Sequence, residues 1–145
     1  MNIEKHINNL QGLIDEMKFS EVEVICLDLL KFHEDSFIYY FLGMAQINLN
    51  KFETGVYYLK KSIFLNPQVS QTHLILAKLY KKFNMLELSK ESFSSLMVLK
   101  NPQLANYIDY LEVLKLIKDE DEFSIVLNNA LRDFPKSEVL LNLKK

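Results

Sequence analysis

Three prolines punctuate the chain at nearly equal intervals. Pro67, Pro102 and Pro135 are 35 and 33 residues apart, and each closes a helix-like apolar segment. Proline disfavours helix at the preceding residue but is accepted in the first turn of the next helix. A similar segment without proline ends at Asp35, one interval earlier. A period of about 34 residues is typical of helical repeats, so this spacing predicts about four of them.

The composition favours long helices joined by short connections. Hydrophobic residues make up 49% of the chain, while glycine and proline occur only three times each. Chains with many β-turns need more of both residues, so the scarcity argues against an all-β fold. The hydrophobic content also argues against disorder.

Each interval divides into two predicted helices. In the second interval, helices over 36–49 and 52–65 are separated by a turn at Asn50, and Asn84 occupies the matching turn of the third. Asparagine tolerates the left-handed conformation that ends helices. Apolar residues recur at three- and four-residue steps on both helices. We predict one domain, 1–145, with repeats over 3–35, 36–69, 70–103 and 104–136 and a closing helix over 137–145.

The second repeat resembles the tetratricopeptide repeat (TPR) signature. The matching positions are Tyr39, Leu42, Gly43, Gln46, Gly55, Leu59, Ser62 and Pro67. In this resemblance Gly43 lets the two helices approach closely. Gly55 and Ser62 keep the second helix thin. The resemblance implies an all-α, right-handed α-solenoid of antiparallel helix pairs, a TPR-like superhelix with a short C-terminal capping helix.

The other repeats match this pattern less closely. The third has Ala77 at the position of Gly43 and Ser89 at a position for small residues. The fourth has Phe123 at that small position, which predicts an altered packing angle for the final pair. His6 and His73 fall at the position of Tyr39, where we expect packing roles.

No residue pattern supports catalysis, a cofactor or a metal ion. The three histidines are too dispersed for a local metal site, and three glycines cannot build a P-loop or a dinucleotide-binding loop. The acidic run 119–122 lacks the spaced ligands of an EF-hand and is interpreted as a solvated helix start. The single cysteine, Cys26, lies in an apolar run, which predicts a buried thiol in a reducing compartment.

Charge and hydropathy predict a soluble, cytoplasmic protein. The net charge is −2, and Arg132 is the only arginine, so no footprint for nucleic acid or an anionic membrane is present. No stretch approaches the length of a membrane span, and the N-terminus has no apolar core of signal-peptide length.

An excess of apolar side chains marks the first helix of the second repeat. Residues 37–42 are apolar in every direction around the helix, whereas a surface helix needs one apolar stripe. The resemblance implies that first helices line a concave groove. The predicted partner contacts are Phe37, Tyr40, Phe41, Met44 and Ile47 from the second repeat, with Leu74, Lys78, Lys81 and Lys82 from the third. Neighbouring groove helices would add Ile7, Gln11, Ile14, Ile108 and Glu112.

This groove suits a protein or peptide with apolar anchors and acidic flanks. We therefore predict a protein–protein interaction module, acting as a chaperone or adaptor. The alternative for the aromatics is that they thicken the core or are covered by the chain's own end. TPR proteins that bind Hsp70 or Hsp90 tails use a charged carboxylate clamp. The matching positions here are uncharged, so that partner is not expected: Ile7, Gln11, Phe41, Gln71 and Ile75.

Two other functions stay open at this point. One is a structural subunit of a larger assembly or a homo-oligomer. The other is RNA binding, because pentatricopeptide repeats are also helix pairs with a similar period. RNA binding is less favoured, since it predicts a basic surface and polar base-reading side chains.

Overall fold

The computed structural model describes residues 2–99 and 101–145, and that part of the chain is helical without strands. Its helices pair in sequence order, and each predicted repeat contains one pair. The helices are α1 Ile3–Asp15, α2 Phe19–Leu30, α3 Ser36–Asn48, α4 Phe52–Leu65, α5 Ser70–Lys82, α6 Leu86–Met97, α7 Leu104–Ile117, α8 Glu120–Asp133 and α9 Glu138–Leu143.

The chain forms two compact units, Met1–Thr72 and His73–Lys145. The boundary falls within α5. The N-terminal unit therefore holds α1–α4, and the C-terminal unit holds most of α5 together with α6–α9. The division into one domain of four repeats stays a prediction.

The same turn joins the two helices of every pair. Met17, Asn50, Asn84 and Lys118 have φ values of 58, 61, 58 and 61° and lie 33 or 34 residues apart. The next residue in each turn donates its amide to a carbonyl five positions back, as Lys51 N does to the Gln46 oxygen at 2.8 Å. This is the Schellman arrangement. The prediction of left-handed asparagines is confirmed, and the structure extends the conformation to Met17 and Lys118.

The N-terminal unit is built around the close α3–α4 pair. A Cβ atom added to Gly43 would lie 2.6 Å from Leu59 Cγ and 2.9 Å from the Gly55 carbonyl oxygen. Both distances are shorter than van der Waals contact, so the predicted close approach at Gly43 is confirmed. α3 also packs against α2 and α1. Leu42 and Leu59 are fully buried between these helices.

The C-terminal unit has a continuous apolar core drawn from α5–α9. Phe93 stacks on Tyr110 with ring centroids 5.5 Å apart. Ser89 donates its hydroxyl to the Ala77 carbonyl at 2.8 Å, and both residues are fully buried. α9 closes the core through Leu140, which is also fully buried. The predicted capping helix therefore exists and covers part of the α7–α8 pair.

Two tyrosines at matching repeat positions each donate a hydroxyl hydrogen bond to a carboxylate. The hydroxyl of Tyr39 donates to Glu34 Oε1 at 2.8 Å, and that of Tyr107 donates to Asp133 Oδ2 at 2.6 Å. Burial and the neighbouring carboxylate raise the pKa of each phenol to about 12. His73, at the matching position of the third repeat, is buried, as expected for a packing residue.

Candidate interaction surfaces

Two of the predicted contacts on α3 belong to the core. Tyr40 is 7% and Phe41 2% exposed, and their rings meet edge to face with centroids 5.1 Å apart. The expectation that these rings have a side left over is corrected, and for them the core interpretation holds. The reason is the position of α3, which packs against α1, α2 and α4.

Ile47 faces α4. Its Cγ1 would lie 2.9 Å from a Cβ added to Gly55, so this side chain packs between α3 and α4. Ile47 is also half-buried, so its role in partner binding stays a prediction. The Gly43–Ile47 side of the helix is occupied by the partner helix of the same pair.

Phe37 and Met44 keep part of their surface open. They lie seven residues apart on one side of α3, about 90° around the helix from Gly43 and Ile47, and both are half-buried. α1 contacts α3 and carries a second half-buried pair at the same spacing, Ile7 and Ile14. We call these four residues the α1–α3 surface. Their role in partner binding stays a prediction.

The predicted lysine contacts of the C-terminal unit differ from one another. Lys81 Nζ lies 2.5 Å from Glu112 Oε2 and 3.7 Å from Asp109 Oδ1, so carboxylates of α7 neutralise its charge. Lys78 is exposed, with no carboxylate within 4 Å in the described part of the chain. Lys82 Nζ lies 6.0 Å from the Phe83 ring centre.

Leu74 is half-buried and packs against the core of this unit. Its role, like those of Lys78, Lys81 and Lys82, stays a prediction. Sequence reasoning assigned Glu112 to the groove but did not pair it with Lys81. The i,i+3 spacing of Asp109 and Glu112 on the next first helix was the available signal.

The sequence interpretation overlooked an exposed stripe on α4. Tyr57, Lys60, Lys61 and Phe64 follow an i, i+3, i+4, i+7 spacing and together line a shallow pocket of about 270 Å³. Tyr57 is 55% and Phe64 84% exposed. We call these four residues the α4 outer face. This spacing is present in the sequence. The inner residues of α4 show the same periodicity, however, so periodicity alone does not single out the outer stripe.

A cleft lies at the far end of the C-terminal unit. It has a volume of about 440 Å³ between the α7–α8 turn and the end of α9. Phe123 and Leu143 contribute its apolar lining, and Lys118 and Asp119 contribute charged groups. Asp119 caps α8 by accepting from the Glu122 amide at 3.1 Å. The acidic run therefore begins a helix, as the sequence predicts.

Cys26 has the environment of a packing residue. It is fully buried, and burial raises the pKa of its thiol to about 12. A thiol of this kind stays protonated at neutral pH and is a poor nucleophile.

Two features of other protein classes, a metal-ligating cluster and a membrane-spanning helix, are absent from the described residues. Over 2–99 and 101–145 no three His, Cys, Asp or Glu side chains are placed to share a metal ion. Among the same residues, no helix has the length and apolarity needed to cross a membrane.

Comparisons of the sequence with known proteins give no relative. No protein-family model matches the chain, and no curated protein matches it either. The likeness is found in structure alone.

Three solved structures share the fold at low sequence identity. Pseudomonas aeruginosa PilF matches with a TM-score of 0.71 and 17% identity over 94% of this chain and 63% of its own. PilW, described as a widely conserved type IV pilus biogenesis factor, gives 0.76 and 16% over 98% and 67%. YrrB, described as a TPR protein with an unusual peptide-binding site, gives 0.70 and 14% over 93% and 70%.

These likenesses define the fold. The chain spans less than two thirds of PilF. At such low sequence identities the matches support the fold and do not transfer a function. Helix pairs with a period of about 34 residues, the glycine contact of the second pair and the three matched structures agree. The chain has an all-α, TPR-like helical-repeat fold.

Proposed function

We propose that this chain is a protein–protein interaction module that binds an apolar segment of a partner on the α1–α3 surface. The supporting observation is the pair of half-buried i, i+7 residues on each of two contacting helices: Ile7 and Ile14 on α1, Phe37 and Met44 on α3. An apolar helix presents anchors at this spacing.

The chemistry of α3 supports an apolar occupant. No charged residue lies between Ser36 and Asn48, although the side at Phe37 and Met44 is partly open. Covering apolar surface stabilises a complex by roughly 25 cal/mol per Å². Tyr40 and Phe41, buried on the same helix, anchor α3 in the core of its unit.

The matched structures favour the same general role. YrrB is described as having a peptide-binding site, and PilW as a biogenesis factor. Such a role on a TPR-like fold supports partner binding here by analogy. The chaperone or adaptor role and the cytoplasmic location belong to this proposal.

The proposal is tested by affinity capture from the native source with quantitative mass spectrometry. Phe37→Gln/Met44→Gln places polar groups on the α1–α3 surface, and we expect its specific partners to be lost while helicity by circular dichroism is retained. The matched control is Val24→Gln/Leu27→Gln, two exposed apolar residues of α2 in the same unit. It should retain every partner.

One result would overturn the proposal. If the folded Phe37→Gln/Met44→Gln variant captures the same partners as the wild type, the α1–α3 surface does not bind them. Light scattering on the wild type separates a monomer with this surface free from a homo-oligomer that covers it.

A further inference from the structure

The α4 outer face lies directly opposite the packed side of its helix. At 100° per residue, Tyr57, Lys60, Lys61 and Phe64 centre about 180° from Gly55, Leu59 and Ser62. The first set is exposed or half-buried, and the second is fully or nearly buried. The four residues of the outer face therefore form one continuous stripe of about two turns that faces away from the core of the N-terminal unit.

Two aromatic rings and two ammonium groups share this stripe. Phe64 is 84% exposed and Tyr57 55%, and the pocket between them is about 270 Å³. Lys61 Nζ lies 5.8 Å from the Tyr57 ring centre, within cation–π distance. When a partner covers side chains as exposed as these, apolar surface is removed from water, which favours binding.

The two lysines have no anionic partner in the described residues. Within 4 Å of either ammonium no carboxylate is found there, whereas Lys18, Lys31 and Lys51 of the same unit each pair with one. The four residues of the α4 outer face thus carry two positive charges beside two rings, in a chain whose net charge is −2. The exposed Glu53, one turn before Tyr57 on the same side of α4, limits the positive part of the helix to its second half. Exposed aromatic residues such as Tyr57 and Phe64 are typical of interface anchors.

We propose that the α4 outer face docks an acidic segment of a partner protein. An apolar side chain of that segment lies between Tyr57 and Phe64, and carboxylates on either side of it pair with Lys60 and Lys61. Partial desolvation by the rings strengthens these ion pairs relative to exposed ones. This inference does not depend on the α1–α3 surface.

Charge argues against the other occupants. A two-fold dimer through this face would bring Lys60 and Lys61 of one copy onto the same residues of the other, with like-charge repulsion. Anionic membranes are bound by clusters of about four to eight basic residues, and this stripe has two. An acidic protein segment is the occupant that both the charge and the pocket favour.

The test uses three capped peptides of defined sequence, followed by amide chemical shifts of the labelled chain. The probe is Glu-Glu-Ala-Leu-Ala-Glu-Glu. One control replaces every Glu with Lys, and the other replaces Leu with Ser. We expect saturable shifts centred on Tyr57–Phe64 with the probe, none with the lysine peptide, and at least about fivefold weaker binding with the serine peptide.

Matched variants separate charge from folding. Lys60→Glu/Lys61→Glu should abolish binding of the probe and bind the lysine peptide instead. Lys5→Glu/Lys136→Glu changes the net charge equally at exposed sites off α4 and should bind the probe within about twofold of wild type. Tyr57→Ser/Phe64→Ser should lose at least about tenfold in affinity while retaining helicity.

Several outcomes overturn the proposal. Shifts that are absent, that fall off α4, or that persist in the Lys60→Glu/Lys61→Glu variant contradict it. Co-sedimentation with phosphatidylserine vesicles without peptide binding assigns the face to membranes. A dimer that disappears in Tyr57→Ser/Phe64→Ser assigns it to self-association. Phe37→Gln/Met44→Gln should bind the probe normally, so failure here and failure of the α1–α3 proposal are distinguishable.

Discussion

The α3–α4 and α7–α8 pairs have side chains of opposite size at the two positions where paired helices come closest. At the two matching positions of closest approach, the first pair has Gly43 and Gly55, and the second has Leu111 and Phe123. The α3 and α4 backbones accordingly run closer together than those of α7 and α8. Leu111 is buried, but Phe123 is half-buried and lines the 440 Å³ cleft. Side-chain volume at two positions thus decides whether a pair is closed or open.

The two units also repeat one ion pair with the charges exchanged. Lys51, at the start of α4, lies 2.8 Å from Glu23 of α2. Asp119, at the start of α8, lies 2.6 Å from Lys90 of α6. Both pairs join the turn of one hairpin to the fifth residue of the preceding second helix. The two units therefore place an ion pair at the same positions, with the positive and negative residues exchanged.

The largest expected effect comes from closing the space at Gly43. Gly43→Ala should destabilise the chain by about 2 kcal/mol, since overpacking against a backbone atom costs up to about 3 kcal/mol and the gain in helix propensity offsets about 1. The clash includes the Gly55 carbonyl, which cannot move like a side chain. Urea unfolding followed by circular dichroism measures the change.

Gly12→Ala is the matched control for this prediction. Gly12 lies on α1, and a Cβ there would meet no atom within 4 Å. This variant should be stabilised by roughly 0.5–1 kcal/mol through helix propensity. Equal effects at the two glycines would contradict the packing explanation.

A smaller loss of stability is expected when Phe123 of the more widely spaced α7–α8 pair is truncated. Phe123→Ala should cost roughly 1.5 kcal/mol, about half the value for a fully buried phenylalanine, because the ring is half-buried. Thermal unfolding measures the loss. A cost as large as that of a core residue would mean that Phe123 supports the α7–α8 pair rather than holding it open.

The third pair has an intermediate residue at the position of Gly55 and Phe123. Ser89→Ala keeps the position small but removes the hydroxyl donor to the Ala77 carbonyl at 2.8 Å. We expect a loss of about 1 kcal/mol, the typical value for one buried hydrogen bond. Ser95→Ala, at an exposed helix position in α6, should change the free energy of unfolding little. A neutral Ser89→Ala would show that small volume alone matters here.

The smallest effect concerns the charge-exchanged ion pair and depends on pH. The hydrogen bond from Lys90, followed by that from the Glu122 amide, lowers the pKa of Asp119 below 3.8. A lowered folded-state pKa stabilises above the unfolded value and loses that contribution as pH falls through the folded one. Asp119→Asn should therefore be less stable than wild type at neutral pH, and the difference should shrink below about pH 4.

Acid unfolding of both proteins followed by circular dichroism checks this prediction. Asp121→Asn, an exposed neighbour in the same turn, serves as the control. A difference between wild type and Asp119→Asn that is constant with pH would rule out the carboxylate as its cause.

Sequence reasoning recovered the parts of the fold that depend on local order. Proline spacing placed the helix pairs, Asn50 and Asn84 marked left-handed turns, and Gly43 marked a close contact. These features follow from backbone conformation at single residues. Met17 and Lys118 adopt the same left-handed conformation, although methionine and lysine are not residue types that predict it.

The candidate surfaces were harder to predict because they depend on neighbours. Periodicity gives the angle of a side chain around its helix but not which helix covers that side. Phe41 and Phe64 are equally apolar, yet one is 2% and the other 84% exposed. The difference is that α3 has helices on several sides, whereas the outer side of α4 faces away from its unit.

The four left-handed turns have a consequence for folding kinetics. Each is closed by hydrogen bonds between residues three and five positions apart, and Gly43 and Gly55 meet across only twelve residues. Such short loops close at little entropic cost, so every hairpin can nucleate by itself. We therefore expect the α3–α4 hairpin, the most closely packed pair of its unit, to form early in folding.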